Sequence, residues 1–257
     1  MARLAPADLL ALWEHAYGRS PLERAIVIVT SLFPERSTRE VLEWPVGFRD
    51  RQIARLRLAQ FGRQVQSIAA CPRCGERVEF EMDLRQCYAL EGALPAPVEL
   101  TLSEARWRLR PVRTVDLLAA TGPDPAQSVL RCCLLPVDGQ REGRDTEEIS
   151  AEAPDRSTES DLFERLHGEH WTEVSRRLEE IDPEARIQLA LECVGCSATW
   201  KATFDIAAIF WAELDAWSRR MLQEVHAIAS RYGWSEDDIL RMSPWRRRVY
   251  LGLVGAL

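Results

Sequence analysis

The chain has 257 residues, 46% hydrophobic and 28% charged, with 13 glycines, 14 prolines and a net charge of −7. That length supports one large domain or two small ones with a proper core, and the composition excludes overall disorder, a collagen-like chain and a disulfide mini-protein. The charge is unevenly placed: positions 138–184 hold 16 acidic and 6 basic residues, a balance of −10 that leaves the remainder at +3. An acidic chain without a basic face argues against nucleic-acid binding by counterion release. No apolar run approaches the roughly 18 residues of a membrane span, and the first residues lack an apolar signal core, so a soluble cytoplasmic protein without membrane contact is expected.

Positions 1–62 read as a helical region. Leu9, Leu10, Trp13, Ala16 and Tyr17 recur at helical spacing, and Gly18 stops the run. Ser20-Pro21-Leu22-Glu23 is a full helix-start signal, with a capping serine, a first-turn proline and a glutamate that reaches back to the Ser20 amide. The Ala25–Val29 run has strand propensity, but the cap favours a buried helix that ends before Pro34. A Pro45-Val46-Gly47 turn leads into a third helix carrying Ile53, Leu56 and Phe61, closed by Gly62.

Positions 63–110 change to period two. Val65, Ser67 and Ala69 alternate with Gln64, Gln66 and Ile68 directly before Cys71, and Arg77 to Met82 alternates after Cys74-Gly75. Val98–Leu102 and Trp107–Leu109 suit a further hairpin. Positions 111–185 read as a helical insert, with helices from Asp116 and from Ser128 to Leu135, and one or two more carrying Leu162, Leu166, Val174, Leu178 and Ile181. Within it, 138–160 is acidic and almost free of apolar residues, a flexible loop by composition.

Positions 186–204 repeat the earlier frame: an alternating segment enters Cys193 and another leaves Cys196. Positions 205–257 are helical. Asp205 caps a long helix in which Ile206, Phe210, Leu214, Trp217, Met221, Val225, Ile228 and Tyr232 form one apolar stripe that Gly233 ends. Ser235 and Ser243-Pro244 start two short helices. The fold class is therefore α+β: mostly helical, with a small antiparallel β zinc ribbon split by a large insert, and a long C-terminal helix followed by two short ones.

Seven cysteines in a chain without a secretory signal do not suggest a disulfide framework. Four form two C-x2-C pairs, Cys71/Cys74 and Cys193/Cys196. A structural zinc site needs four thiolate or imidazole ligands in a tetrahedron, and two C-x2-C turns supply them. Pro72 and Gly75 favour a tight knuckle, and Gly195 offers the same freedom in the second pair. The 118 residues between Cys74 and Cys193 exceed the usual ribbon spacing, so the knuckles would flank an inserted domain. Two rivals stand beside structural Zn2+: a redox C-x2-C, which wants a helix N-terminus rather than strand flanks, and a degenerate ribbon whose cysteines are merely buried.

The other constellations point to no catalytic residue. His167-Gly168-Glu169-His170 lacks the four-residue histidine spacing of metalloproteases and reads as an exposed acidic helix or turn. Cys132 and Cys133 read as small core residues, and Arg246-Arg247-Arg248 as a solvated helix face. No phosphate loop, dinucleotide fingerprint or nucleophile elbow occurs.

Several motifs recur together in a known order: the helical start, Pro45-Val46-Gly47-Phe48-Arg49-Asp50, Cys71-Pro72-Arg73-Cys74-Gly75, and a second knuckle before a long helix. The ending Val225-His226-x-Ile228-Ala229-x-x-Tyr232-Gly233-Trp234-Ser235, then Arg246-Arg247 and Tyr250-Leu251, completes the set. In these the chain resembles the baseplate hub assembly chaperones of T-even-type phages, whose relatives occur in phage-derived contractile injection systems. The resemblance implies a non-enzymatic accessory protein, either a chaperone of hub assembly or a minor baseplate component. It would be located in the cytoplasm of the producing cell or associated with the particle. Expected partners are baseplate hub, spike or other tail proteins, with no nucleic acid. Trp234, Trp245 and Tyr250 are the candidate partner-binding side chains. The alternative is a zinc-ribbon nucleic-acid-binding or regulatory protein, which would need a basic face that the sequence lacks.

Overall fold

The computed structural model describes residues 3–121, 123–137 and 162–255, so the acidic stretch 138–160 lies outside the described residues. In chain order the elements are α1 (Pro6–Ala16), α2 (Pro21–Leu32), α3 (Thr38–Leu42), α4 (Val46–Phe61), β1 (Gln64–Ala70), β2 (Arg77–Asp83), β3 (Val98–Leu102), β4 (Ala105–Leu109), α5 (Thr114–Ala119), α6 (Pro125–Cys133), β5 (Leu134–Pro136), α7 (Gly168–Ile181), β6 (Ile187–Glu192), β7 (Thr199–Phe204), α8 (Ile206–Tyr232), α9 (Glu236–Leu240) and α10 (Pro244–Leu253). The fold is α+β: helices dominate, the sheets are small, and the long α8 precedes two short helices. Among the described residues no helix is long and apolar enough to cross a membrane.

The chain divides into two compact units, one of Met1–Thr38, Asp50–Leu90 and Gln188–Leu257, the other of Arg39–Arg49 and Glu91–Ile187. Local chemistry sets the helices of the first unit. Ser20 caps α2 with Pro21 in its first turn; its backbone N–H donates to Glu23 at 2.8 Å while the Glu23 amide donates to the Ser20 hydroxyl at 3.4 Å. This reciprocal cap outweighs the strand propensity of Ala25–Val29, and Ala25, Ile28 and Val29 face the core. Asp205 caps α8 through the Ala208 amide at 3.0 Å, and Gly233 at φ +69° closes it.

The buried seam of α8 comprises Ile206, Phe210, Leu214, Ser218, Met221, Val225 and Ile228. Trp217, expected on that seam, is half-buried and packs against the same core, while the small Ser218 beside it is fully buried; a tryptophan is rarely enclosed completely. Met221, Val225 and Ile228 meet Leu10, Ile239, Leu240 and Leu251, so α8, α1 and the two short helices share one core.

α4 departs from a simple amphipathic pattern. Arg51, Gln52, Arg57 and Gln60 are buried beside Ile53, Ala54 and Leu56. Arg57, with only 3% of its side chain exposed, donates from Nε and Nη2 to Glu213 of α8 at 2.9 and 2.6 Å, and from Nη1 to the Gly62 carbonyl at 2.6 Å. The pair is bidentate, which satisfies a buried guanidinium far better than a point contact does. Arg247 of α10 is a second case and corrects the expected solvated triplet: it is 4% exposed and bonds Glu224 at 3.0 Å and the Met242 carbonyl at 2.9 Å.

In the second unit β3, β4 and β5 form a three-stranded antiparallel sheet. The β3–β4 turn places Ser103 and Glu104 at φ +47° and +66°, both positive as a tight two-residue hairpin requires, although neither is glycine. The helix expected to continue to Leu135 ends at Cys133. Leu134–Pro136 instead pairs with β4, setting Leu109 opposite Leu134 and Trp107 opposite Pro136. Proline donates no ladder bond, so this short strand lies at the sheet edge. Trp107, Leu109, Cys133, Leu134, Val174 and Leu178 form the core. Val46 and Gly47, expected in a turn, begin α4: the Val46 amide donates to the Val112 carbonyl at 2.8 Å and the Gly47 amide to Asp182 at 3.0 Å.

Candidate metal centre

The first C-x2-C pair lies in the connection between β1 and β2, the second in that between β6 and β7. The two loops have the same backbone. The Cys71 amide donates to the Glu76 carbonyl at 2.8 Å, and the Cys193 amide to the Ala198 carbonyl at 2.9 Å. Closing each turn, the Gly75 amide donates to the Cys71 carbonyl at 2.9 Å and the Ser197 amide to the Cys193 carbonyl at 2.8 Å. Each pair of bonds closes a tight turn around the two cysteines of a knuckle.

The residue after the second cysteine needs positive φ. Gly75 adopts +77° and Ser197 adopts +55°. The freedom expected of Gly195 is therefore taken by Ser197, whose position after Cys196 matches that of Gly75 after Cys74. A Cβ on Gly195 would meet only ordinary contacts, 3.7 Å from Glu76 and 3.8 Å from the Cys193 sulfur. Aligning the two knuckle frames would have found Ser197; counting glycines could not.

The sulfurs of Cys71, Cys74, Cys193 and Cys196 all lie within 4.8 Å of one another. The contacts across the knuckles are 3.7 Å for Cys71–Cys196 and 3.6 Å for Cys74–Cys193, and all four are free thiols. These distances exceed a disulfide bond, about 2.05 Å, and suit four donors converging on one ion. Cys71 and Cys193 are buried with Val78, and Ala198 and Trp200 pack beside them. Cys74 is exposed and Cys196 half-buried, so the cluster opens to solvent on one side. Among the described residues each knuckle is flanked by strands on both sides, and neither opens a helix as a redox C-x2-C does.

Cys71 and Cys196 do not ionise alike. Burial opposes a charge on Cys71, yet the Cys74 and Arg73 backbone amides, with the neighbouring thiols, hold its pKa down at about 7. At Cys196 the Ala198 amide favours the thiolate, but burial and the other three sulfurs push the pKa up to about 12. Four sulfurs this close cannot all carry charge without a cation among them.

The remaining cysteines do different work. Burial raises the pKa of Cys87. Burial also lifts Cys133 to about 12, where it sits in the second unit's core near Arg110 and Asp116. His167 and His170 meet at the start of α7, where the His170 ring accepts the His167 amide at 3.0 Å.

The three aromatic candidates separate. Trp234 stacks on Tyr232 with centroids 4.7 Å apart and meets Tyr250 edge-on at 4.9 Å; both Trp234 and Tyr250 pack against the α8–α10 core. Trp245 is 73% exposed, and Val249 and Leu253 follow it at four-residue steps on α10 at 42% and 71%. Compared with known proteins, the chain matches no protein-family model, no curated protein and no solved structure.

Proposed function

We propose that the four cysteines hold a structural zinc ion, and that this metal-stapled chain is a non-enzymatic accessory protein of a contractile tail or injection system, acting in assembly of the baseplate hub. The observation that carries the metal reading is the convergence of four sulfurs from knuckles 118 residues apart. Zinc–sulfur bonds of about 2.3 Å in a tetrahedron imply sulfur–sulfur edges of about 3.8 Å. The cross-knuckle contacts of 3.6 and 3.7 Å fit that edge. Four thiolates fill the coordination shell and leave no position for water or substrate, so the ion contributes folding free energy rather than catalysis.

The step from a stapled module to the baseplate hub rests on the ordered sequence motifs, above all the knuckles and the Val225–Leu251 ending. The exposed Trp245–Val249–Leu253 row on α10 supports binding as the mode of action, since large apolar side chains left in solvent mark contact surfaces. Trp234 supports that helix from beneath, meeting Tyr250 on its inner side. This reading implies action in the cytoplasm of the producing cell or in the assembling particle, with a hub, spike or other tail protein as partner.

The test replaces the chromosomal gene in the producing cell with Trp245→Ala and scores particles by electron microscopy. The variant is expected to keep its zinc and its melting temperature while functional contractile particles fall to background. A folded variant that supports normal particles would remove α10 as the docking surface. A producing cell without sheath and tube genes would sink the baseplate reading while leaving the metal centre standing.

A further inference from the structure

The two sides of α10 differ in chemistry. Arg247, Tyr250 and Leu251 turn inward: Arg247 bonds Glu224, and Tyr250 and Leu251 pack on the α8 core. The outer side carries Trp245, Val249 and Leu253, and among the described residues no other helix or strand holds three exposed large apolar side chains. At about 100° per residue these three fall within an arc of about 80°, with Arg248 on one side of it and Arg246 on the other. Both arginines are exposed, and among the described residues neither pairs with a carboxylate. Arg246 lies over the Tyr250 ring, its guanidinium carbon 5.7 Å from the centroid. α10 itself, PWRRRVYLGL, has no acidic residue. Asp237 and Asp238 of α9 are engaged elsewhere, with Arg241 at 3.6 Å and with the Ser235 hydroxyl at 2.6 Å.

We propose that the outer face of α10 receives an amphipathic helix of a partner protein. An apolar stripe on that helix covers Trp245, Val249 and Leu253, and acidic side chains on its flanks pair with Arg246 and Arg248. The inference rests on the reading of α10 as the docking surface and adds what docks there. The two arginines choose among occupants. A second copy of the chain, face to face about this helix, would set arginines against arginines, and like charges oppose association. The acidic stretch 138–160 has the charge but one large apolar side chain, Ile149, against the three to be covered. A nucleic acid would answer the arginines and leave the apolar row unpaired. Membrane binding scales with buried apolar area, and three side chains on a ten-residue helix offer little of it. An acidic amphipathic helix answers the row and both its flanks.

Photocrosslinking of the full-length protein in the producing cell tests it, with p-benzoyl-phenylalanine in place of Val249 and the captured peptide sequenced by mass spectrometry. The expected product is a segment of another protein in which apolar residues recur every three or four positions with Asp or Glu beside them. Its yield should fall about tenfold in Arg246→Glu/Arg248→Glu, where attraction becomes repulsion at two pairs. It should stay near the wild-type level in Arg246→Lys/Arg248→Lys, which keeps the charge. Both arginines are exposed, so both variants should melt like the wild type. Cross-linking to a second copy, to a segment without acidic flanks or to no protein overturns the proposal. So does a glutamate variant that cross-links like the wild type, or a lysine variant that does not. If Trp245→Ala still abolishes particles in any of those cases, α10 stands as the docking surface and only the acidic partner falls. An acidic helix captured from a protein outside the tail would keep this inference and sink the baseplate reading.

Discussion

Removing the metal gives the most demanding test of the centre. The ion would join Cys74 to Cys193 and thereby close a loop of 118 residues. By the chain-entropy relation for a cross-link, closing a loop of that length stabilises the folded state by about 5 kcal/mol, to which the ligand bonds themselves add. Domains are stable by only about 5–15 kcal/mol in total, so the first unit should be marginal without its ion. With a guanidinium slope of several kcal/mol per molar, loss of closure lowers the unfolding midpoint by about 1 M. The assay is equilibrium denaturation of the metal-loaded protein, of chelator-treated protein and of Cys193→Ser. Hydrogen exchange then assigns the loss to β1–β2, β6–β7 and α8 rather than to α5–α7. Cys87→Ser, outside the cluster, is the control and should unfold like the wild type. Superimposable curves for loaded and metal-free protein would refute the staple, as would stoichiometric zinc retained by Cys193→Ser.

Two further outcomes concern the second unit. Burial opposes a charge on Asp116, but the Arg110 guanidinium, bonded at 2.6 and 2.9 Å, and the Arg113 amide at 2.8 Å win and lower its pKa. A depressed carboxylate pKa means stability that is present above the unfolded value, about 3.9, and is lost as pH falls through the folded one. Asp116→Asn should therefore cost about 2 kcal/mol near neutral pH, and thermal melts should show the gap to wild type closing below about pH 4; a gap constant with pH would show that the carboxylate charge is not what stabilises. Gly47→Ala should destabilise this unit by about 2 kcal/mol or more, since its Cβ would fall 2.7 Å from the Asp182 carboxyl carbon and 2.9 Å from the Ala185 amide. An unchanged melting temperature would mean that the α4 start relaxes freely away from Asp182.

Much of this protein is legible in its sequence because the relevant signals are local. The Ser20 capping box, the Asp205 cap and the Gly233 stop act within four residues, and strand alternation on either side of each C-x2-C shows within seven. These suffice to place α2, α8 and both knuckles, and to name the four cysteines. Burial of charge was not legible. Arg57 and Arg247 look like surface arginines until Glu213 and Glu224, distant in sequence, arrive beside them. The switch from α6 into β5 depends on β4, whose open edge offers Leu134–Pro136 a ladder that the preceding helix cannot. The positive φ at Ser197 follows from the closing bond to the Cys193 carbonyl, which overrides the preference for glycine. Most of all, a C-x2-C pair specifies half a coordination shell. Only tertiary structure brings the halves together, because the convergence of sulfurs separated by 118 residues depends on how the helices and hairpins of the first unit pack, and no local pattern encodes that.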